Sequence, residues 1–183
     1  MTAAAEHRSI AAEFTATVTG TSQDAWDNPA PPDGWVARDV VRHLLDWLPA
    51  FLNGPTDIVF PAGPSVDDDP VTAWLTRRDA VQALLDEPAT AEQEFEFPHM
   101  GTMTLGQAID TVYTNDVFMH RWDLARATGQ DETLDPLRCT RMLESMLPID
   151  EALRASGHYG PRVEVADDAD PTAKLMAFLG RAP

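Results

Sequence analysis

The chain carries one cysteine, Cys139, and one lysine against twelve arginines. A lone cysteine excludes an internal disulfide and points to a reducing compartment. Basic charge is scarce altogether: 13 Lys and Arg against 30 Asp and Glu leave a net charge of −17. That argues against nucleic acid or an anionic membrane surface as a partner, since both carry the same sign of charge. No apolar run approaches the roughly 18 residues a membrane span needs. The N-terminal stretch "MTAAAEHRSIAAEF" breaks with acids and a histidine the apolar core of a signal peptide. A soluble, cytoplasmic protein with neither nucleic acid nor membrane as partner is expected. Also missing are a Gly-x-Ser-x-Gly elbow, a phosphate loop, a dinucleotide fingerprint, internal repeats and low-complexity tails. Cys139 has no neighbouring His or helix N-terminus to activate it and reads as a packing cysteine.

What is present is a helical period broken by Pro- and Gly-rich connectors. With 183 residues, 44% of them hydrophobic, the chain suits one domain over residues 1–183 with a sizeable core. Ile10, Phe14 and Val18 predict a first helix over about residues 3–18. "VARDVVRHLLDWLPAFL" predicts a second over residues 36–52, with Pro49 bending its last turn. Asp69 caps a third, which has Pro70 at its first position and runs to about Glu87. The alternating "EFEFPHMGTMT" reads as a short hairpin or an extended connector. A long fourth helix is expected over residues 105–128, ended by Gly129, and a fifth over residues 136–155. "PTAKLMAFLG" makes a short closing helix. The fold class is all-α, a bundle of four main helices with extra terminal packing.

The chemistry concentrates in "NDVFMHRWDLARATG", residues 115–129. On a wheel of about 100° per residue, Ile109, Val112, Tyr113, Asp116, Val117, His120, Asp123, Leu124 and Ala127 share one face. A carboxylate buried alone there costs several kcal/mol or neutralises itself. A divalent cation removes that cost, and the i, i+4 spacing lets Asp116 and His120 reach one ion. The third candidate ligand is His43 in "DVVRHLLDW", at the edge of its helix's apolar arc. Two imidazoles and a carboxylate suit Zn²⁺ or another late first-row metal. The alternative is a plain Asp116–His120 hydrogen bond beside a core histidine at position 43.

Three stretches, "GWVARDVVRHLLDW", "NDVFMHRWDLARATGQ" and "GPRVEVADDADPTAKLMAFLGRAP", resemble the DinB/YfiT-like metalloenzymes. The resemblance is to the metal-binding domain related to mycothiol-dependent maleylpyruvate isomerase. It implies a DinB-like four-helix bundle of up-down-down-up type with short extra helices and a C-terminal extension. It also implies a divalent metal, Zn²⁺ first and Ni²⁺ or Fe²⁺ next, held by His43, Asp116 and His120. Mycothiol or another low-molecular-weight thiol would be the cofactor, a small electrophile the substrate, and transferase or isomerase chemistry the reaction. Members of this kind often pair, so a homodimer is a further expectation. Asp116 stands where the isomerase-like members have Glu, one methylene longer. Those members also carry a second domain, for which this chain is expected to be too short. Isomerase activity therefore does not come with the resemblance.

Around the trio, Asp123 is a candidate acceptor that would orient the His120 imidazole, or else a partner of Arg126 or Arg121. Asp39 is a candidate to do the same for His43, or else a solvated acid near its helix start. Trp47 and Tyr113 read first as core residues and second as walls of the pocket, and His99, in "FPHMG", reads as a surface histidine or else sits on a loop that could fold over the site. No side chain stands out as a general base. A non-catalytic binding module with a structural or vestigial metal site remains the second reading. In that case a fourth protein ligand, His99 or Asp123, would close the coordination. An Fe(II) facial triad, also two His and a carboxylate, ranks below both.

Overall fold

The computed structural model describes residues 1–53, 56–97, 101–157 and 159–183. Four helices form its body: α1 (Ala3–Gly20), α2 (Ala37–Leu52), α3 (Pro70–Asp86) and, later in the chain, the segment over residues 105–128. α1 starts at Thr2, whose hydroxyl accepts from Ala5 N–H. α3 starts as expected, with the Asp69 carboxylate on Thr72 N–H and Pro70 in its first turn. A single-turn α4 (Pro88–Ala91) follows, and then β1 (Glu94–Phe97) pairs antiparallel with β2 (Gly101–Thr104). The alternating stretch is therefore a two-stranded sheet.

The long helix is helical throughout but not regular. α5 (Leu105–Ala108) runs into a π-helical turn over Ile109–Thr114 and then α6 (Asn115–Thr128). Hydrogen bonds in a π turn reach one residue further than in an α-helix, so the 100° wheel loses phase there. Val112 is accordingly half exposed although the wheel set it with the buried stripe. Gly129, at φ = 68°, ends α6 in the left-handed conformation that favours glycine. The expected fifth helix is divided. α7 (Pro136–Met146) gives way to a 3₁₀ turn at Leu147–Ile149 before α8 (Asp150–Ala155), because Pro148 has no N–H to continue the ladder. α9 (Pro171–Phe178) closes the chain, capped by Asp170.

α1 packs on α3 and α6, and α2 on the same two helices, so the four close a ring around one contiguous core. Phe14, Leu44, Leu48 and Phe118 are fully buried in it, each contributing roughly 1.5–3 kcal/mol. Trp74 meets Phe14 edge-on at 4.6 Å. α7 and α9 pack on each other. No helix among the described residues is long and apolar enough to cross a membrane.

Candidate metal centre

Val40, Val41, Leu44 and Leu48 fix the inner face of α2, which leaves His43 at its margin. Val117, Phe118 and Leu124 fix α6, and Asp116 and His120 fall on the strip that meets α2. There His43 Nε2 donates to Asp116 Oδ2 at 2.9 Å, and Trp47 Nε1–H donates to the same oxygen at 2.9 Å. His120 Nε2 lies 3.4 Å from the other oxygen, Oδ1. One donor atom from each of His43, Asp116 and His120 lies within 4.8 Å of the others. Among the described residues this is the one group of three His, Cys, Asp or Glu so placed. Side-chain exposure falls from 32% at His43 through 17% at Asp116 to 5% at His120, so the group opens outward past His43.

The opening is a cleft of about 520 Å³ lined by Trp35, Asp39, Arg42, His43, Asp46 and Trp47. That size suits a small molecule. Trp35 was not singled out from the sequence. A turn from Pro32 to Trp35, with Gly34 at φ = 76°, sets its indole over the site. The ring stacks on His120 at 5.7 Å and tilts against His43 at 5.1 Å. Trp47 meets Tyr113 at 5.8 Å, and Tyr113 itself is fully buried. Trp47 thus borders the cleft, while Tyr113 backs it from the core.

Behind His120 the structure resolves the choice left open for Asp123. His120 Nδ1 lies 2.8 Å from Asp123 Oδ2. Arg126 turns instead to Glu132, and Arg121 to the Thr133 carbonyl. The cation on Asp123 is Arg181, with Nε 3.1 Å from Oδ1 and an Nη 2.8 Å from Oδ2. Nothing in the sequence marked Arg181, which lies 58 residues away. Tyr159, also unmarked, is close enough to Asp116 and Arg181 to feel both charges, and burial pushes its phenol up. Asp39 does not reach His43: it accepts from Val36 N–H at its helix start and pairs with Arg42. His99 lies outside the described residues. Cys139 is buried beside the Thr172 hydroxyl, and burial pushes its thiol up, as suits a packing residue.

Burial opposes the charge on Asp116, but the His120 and His43 imidazoles and the Trp47 N–H outweigh it and hold the carboxyl below its ordinary value. Asp123 behaves alike: burial opposes its charge, and His120 with Arg181 prevails. Held at Nδ1 by Asp123, His120 turns its Nε2 toward Asp116. His43, Asp116 and His120 could therefore hold a divalent cation through two imidazole nitrogens and a carboxylate, a donor set for Zn²⁺ or a neighbouring metal.

Comparison with known proteins adds three findings. The family model described as the mycothiol maleylpyruvate isomerase N-terminal domain matches residues 7–125. Two proteins of Mycobacterium tuberculosis, the uncharacterized proteins MT0763 (strain CDC 1551) and Rv0738 (strain H37Rv), are each 27% identical over 181 residues, covering 96% of this chain and 95% of theirs. No solved structure matches the chain significantly.

Proposed function

The chain belongs to the mycothiol maleylpyruvate isomerase N-terminal domain family, and on that premise we propose that it binds a divalent metal and uses a low-molecular-weight thiol of the mycothiol type on a small electrophile, as a transferase or isomerase. The observation that carries this is the trio itself: two histidines and a carboxylate from two helices, grouped behind a cleft that His43 lines. His43 Nε2, Asp116 and His120 Nε2 would be the ligands, with Zn²⁺ the first choice and Ni²⁺ or Fe²⁺ next. Such a cation, when bound, supplies Lewis acidity that favours the thiolate or hydroxide form of a ligand at neutral pH. The protein's own part is positional. Trp47 holds the carboxylate, Asp123 orients His120 through Nδ1, and Trp35 stacks on His120 and tilts against His43.

The second reading, a closed structural site, needs a fourth protein ligand. Among the described residues none joins the trio, and Asp123 is committed to His120 and Arg181. His99, the other candidate, lies outside the described residues, and the exposure of His43 on the cleft favours an open site. Residues 1–183 are read as one domain, since Arg181, after α9, bonds back to Asp123 on α6. A reducing cytoplasm, where small thiols stay reduced, is the setting the proposal assumes.

The test is elemental analysis of untagged protein, wild type against His120→Ala and Asp116→Asn, with folding checked by circular dichroism. About one metal per chain is expected in the wild type and loss of it in folded variants. Thiol binding is then read from the absorption of the Co²⁺-loaded protein. A wild type that takes up no Zn²⁺, Ni²⁺, Co²⁺ or Fe²⁺ would leave the trio a hydrogen-bonded cluster and remove the proposed chemistry.

A further inference from the structure

The end of α9 is built to deliver one side chain. Arg181 N–H donates to the Met176 carbonyl and Gly180 N–H to the Ala177 carbonyl, the paired bonds of a Schellman turn. Gly180 sits at φ = 91°, and a Cβ there would come within 3.0 Å of Gly160 Cα and of the Pro161 carbonyl. No other residue fits the position, so the turn and its exit direction are fixed. That direction carries the Arg181 guanidinium to Asp123, where two nitrogens meet two carboxylate oxygens. Asp123 is wholly buried and the Arg181 side chain is 14% exposed, so the fork is shielded from solvent.

We propose that Arg181 is a positioning residue for the metal site: it locks Asp123 so that Asp123 holds the His120 imidazole by Nδ1 and Nε2 faces Asp116 and His43. This rests on the proposed metal-binding reading for its purpose, but not for its geometry. A single carboxylate on an imidazole leaves the acid free to rotate. Pinning both oxygens with a planar fork removes that freedom, and Lys, a point charge, cannot reproduce it. Arg181 lies beyond the stretch matched by the family model, which ends at residue 125. The segment following α8 thus supplies part of the site rather than mere cover.

The test uses ¹⁵N-labelled full-length protein in its metal-free form, with the His120 tautomer read from two-bond proton–nitrogen correlations. Wild type is expected to show the Nδ1-protonated tautomer alone. Arg181→Gln, shorter and neutral, is expected to show a mixture, and Arg181→Lys to fall nearer wild type. Zn²⁺ affinity, measured against a competing chelator, should drop about 10-fold or more in Arg181→Gln, in the range seen when outer partners of ligating histidines are removed. An Arg181→Gln protein that melts lower but keeps the pure Nδ1 tautomer would show a merely structural role and overturn the proposal. If Arg181→Gln does not fold, Arg181→Lys decides: a shifted His120 Nδ1 proton resonance supports the lock, and an unshifted one sinks it. If the wild type binds no metal, the proposed function falls, while the tautomer measurement still decides the role of Arg181.

Discussion

Among the described residues two histidines are buried in this bundle, and their surroundings differ at both ring nitrogens. His7 on α1 is fully buried, and His120 on α6 is 4% exposed. Each offers Nδ1 to an oxygen: His7 to Gln82 Oε1 at 3.0 Å, His120 to Asp123 Oδ2 at 2.8 Å. At Nε2 they part. His120 faces the Asp116 carboxylate, whereas His7 Nε2 is buried with no hydrogen-bond partner among the described residues. Tyr113 lies between the two regions, stacked toward His7 at 6.1 Å and tilted against Trp47 at 5.8 Å, with its own hydroxyl unpartnered among the described residues. One histidine is framed by negative charge at both nitrogens, ready for a cation. The other has an amide at Nδ1 and no partner among the described residues at Nε2, and its burial disfavours the charged ring. Placing a buried imidazole is thus not enough to make a site; the groups at both of its nitrogens decide what it can hold.

Removing one half of the charged frame should have the largest effect. Asp123→Leu or Arg181→Leu leaves the other charge buried and unpaired, and each is expected to cost about 3–5 kcal/mol in urea unfolding. The double variant should cost clearly less than the sum, because no orphaned charge remains. Additive losses would mean that the pair is not coupled and that the contrast with His7 is only geometric. A smaller step is Trp47→Phe, which deletes one donor to Asp116 and keeps the aromatic wall. A loss of about 1.5–3 kcal/mol is expected, together with weaker Zn²⁺ uptake. Unchanged stability and uptake would show that His43 and His120 alone fix that carboxylate.

Much of the charged region could be read in the chain. The i, i+4 spacing of Asp116 and His120 survives because α6 is a regular α-helix, and the apolar residues of α2 leave His43 only the margin. What could not be read depends on tertiary placement. Arg181 is an ordinary arginine in "LGRAP" until the Gly180 turn aims it, and Trp35 is an ordinary aromatic until Gly34 does the same. The π turn at Ile109–Thr114 is a matter of hydrogen-bond reach, to which hydrophobic periodicity is blind. The division between α7 and α8 did carry a signal, Pro148, but the apolar spacing around it continues and conceals the break. The His7 pocket was not legible either: His7 meets Gln82 75 residues on, with no pattern joining them.

Tyr113→Phe probes the border between the regions. The phenol hydroxyl is buried without a partner among the described residues, so removing it deletes an unpaid desolvation penalty and no hydrogen bond. Stability should be unchanged or rise by up to about 1 kcal/mol, with the metal content as in the wild type. A loss of stability would mean that the hydroxyl is bonded in solution, and the His7 side would then be better supplied with partners than the structure shows.

The finest test is the pH dependence of His7. Gln82 Nε2 donates to the Ala4 carbonyl at 3.1 Å and to Asp86 at 3.0 Å, which turns Oε1 to His7 and requires the proton on Nδ1. Protonating Nε2 as well would bury an N–H⁺ with nothing to receive it. Burial accordingly lowers the His7 pKa from 6.5; the Gln82 hydrogen bond raises it in part, Arg8 and Arg78 lower it further, and Asp86 raises it slightly. Below pH 6.5 the unfolded chain therefore binds a proton that the folded one refuses, so stability falls as pH falls through that value and the His7 contribution levels off below the folded pKa. Above it the two states bind equally and the effect vanishes. His7→Asn keeps a donor near Gln82 and removes the titration. The difference in stability between wild type and this variant should be constant above about pH 7 and shift against the wild type as the solution is acidified. A difference that stays flat from pH 8 to pH 5 would mean that His7 finds a partner for its second proton, and the two histidines would then be alike where the structure sets them apart.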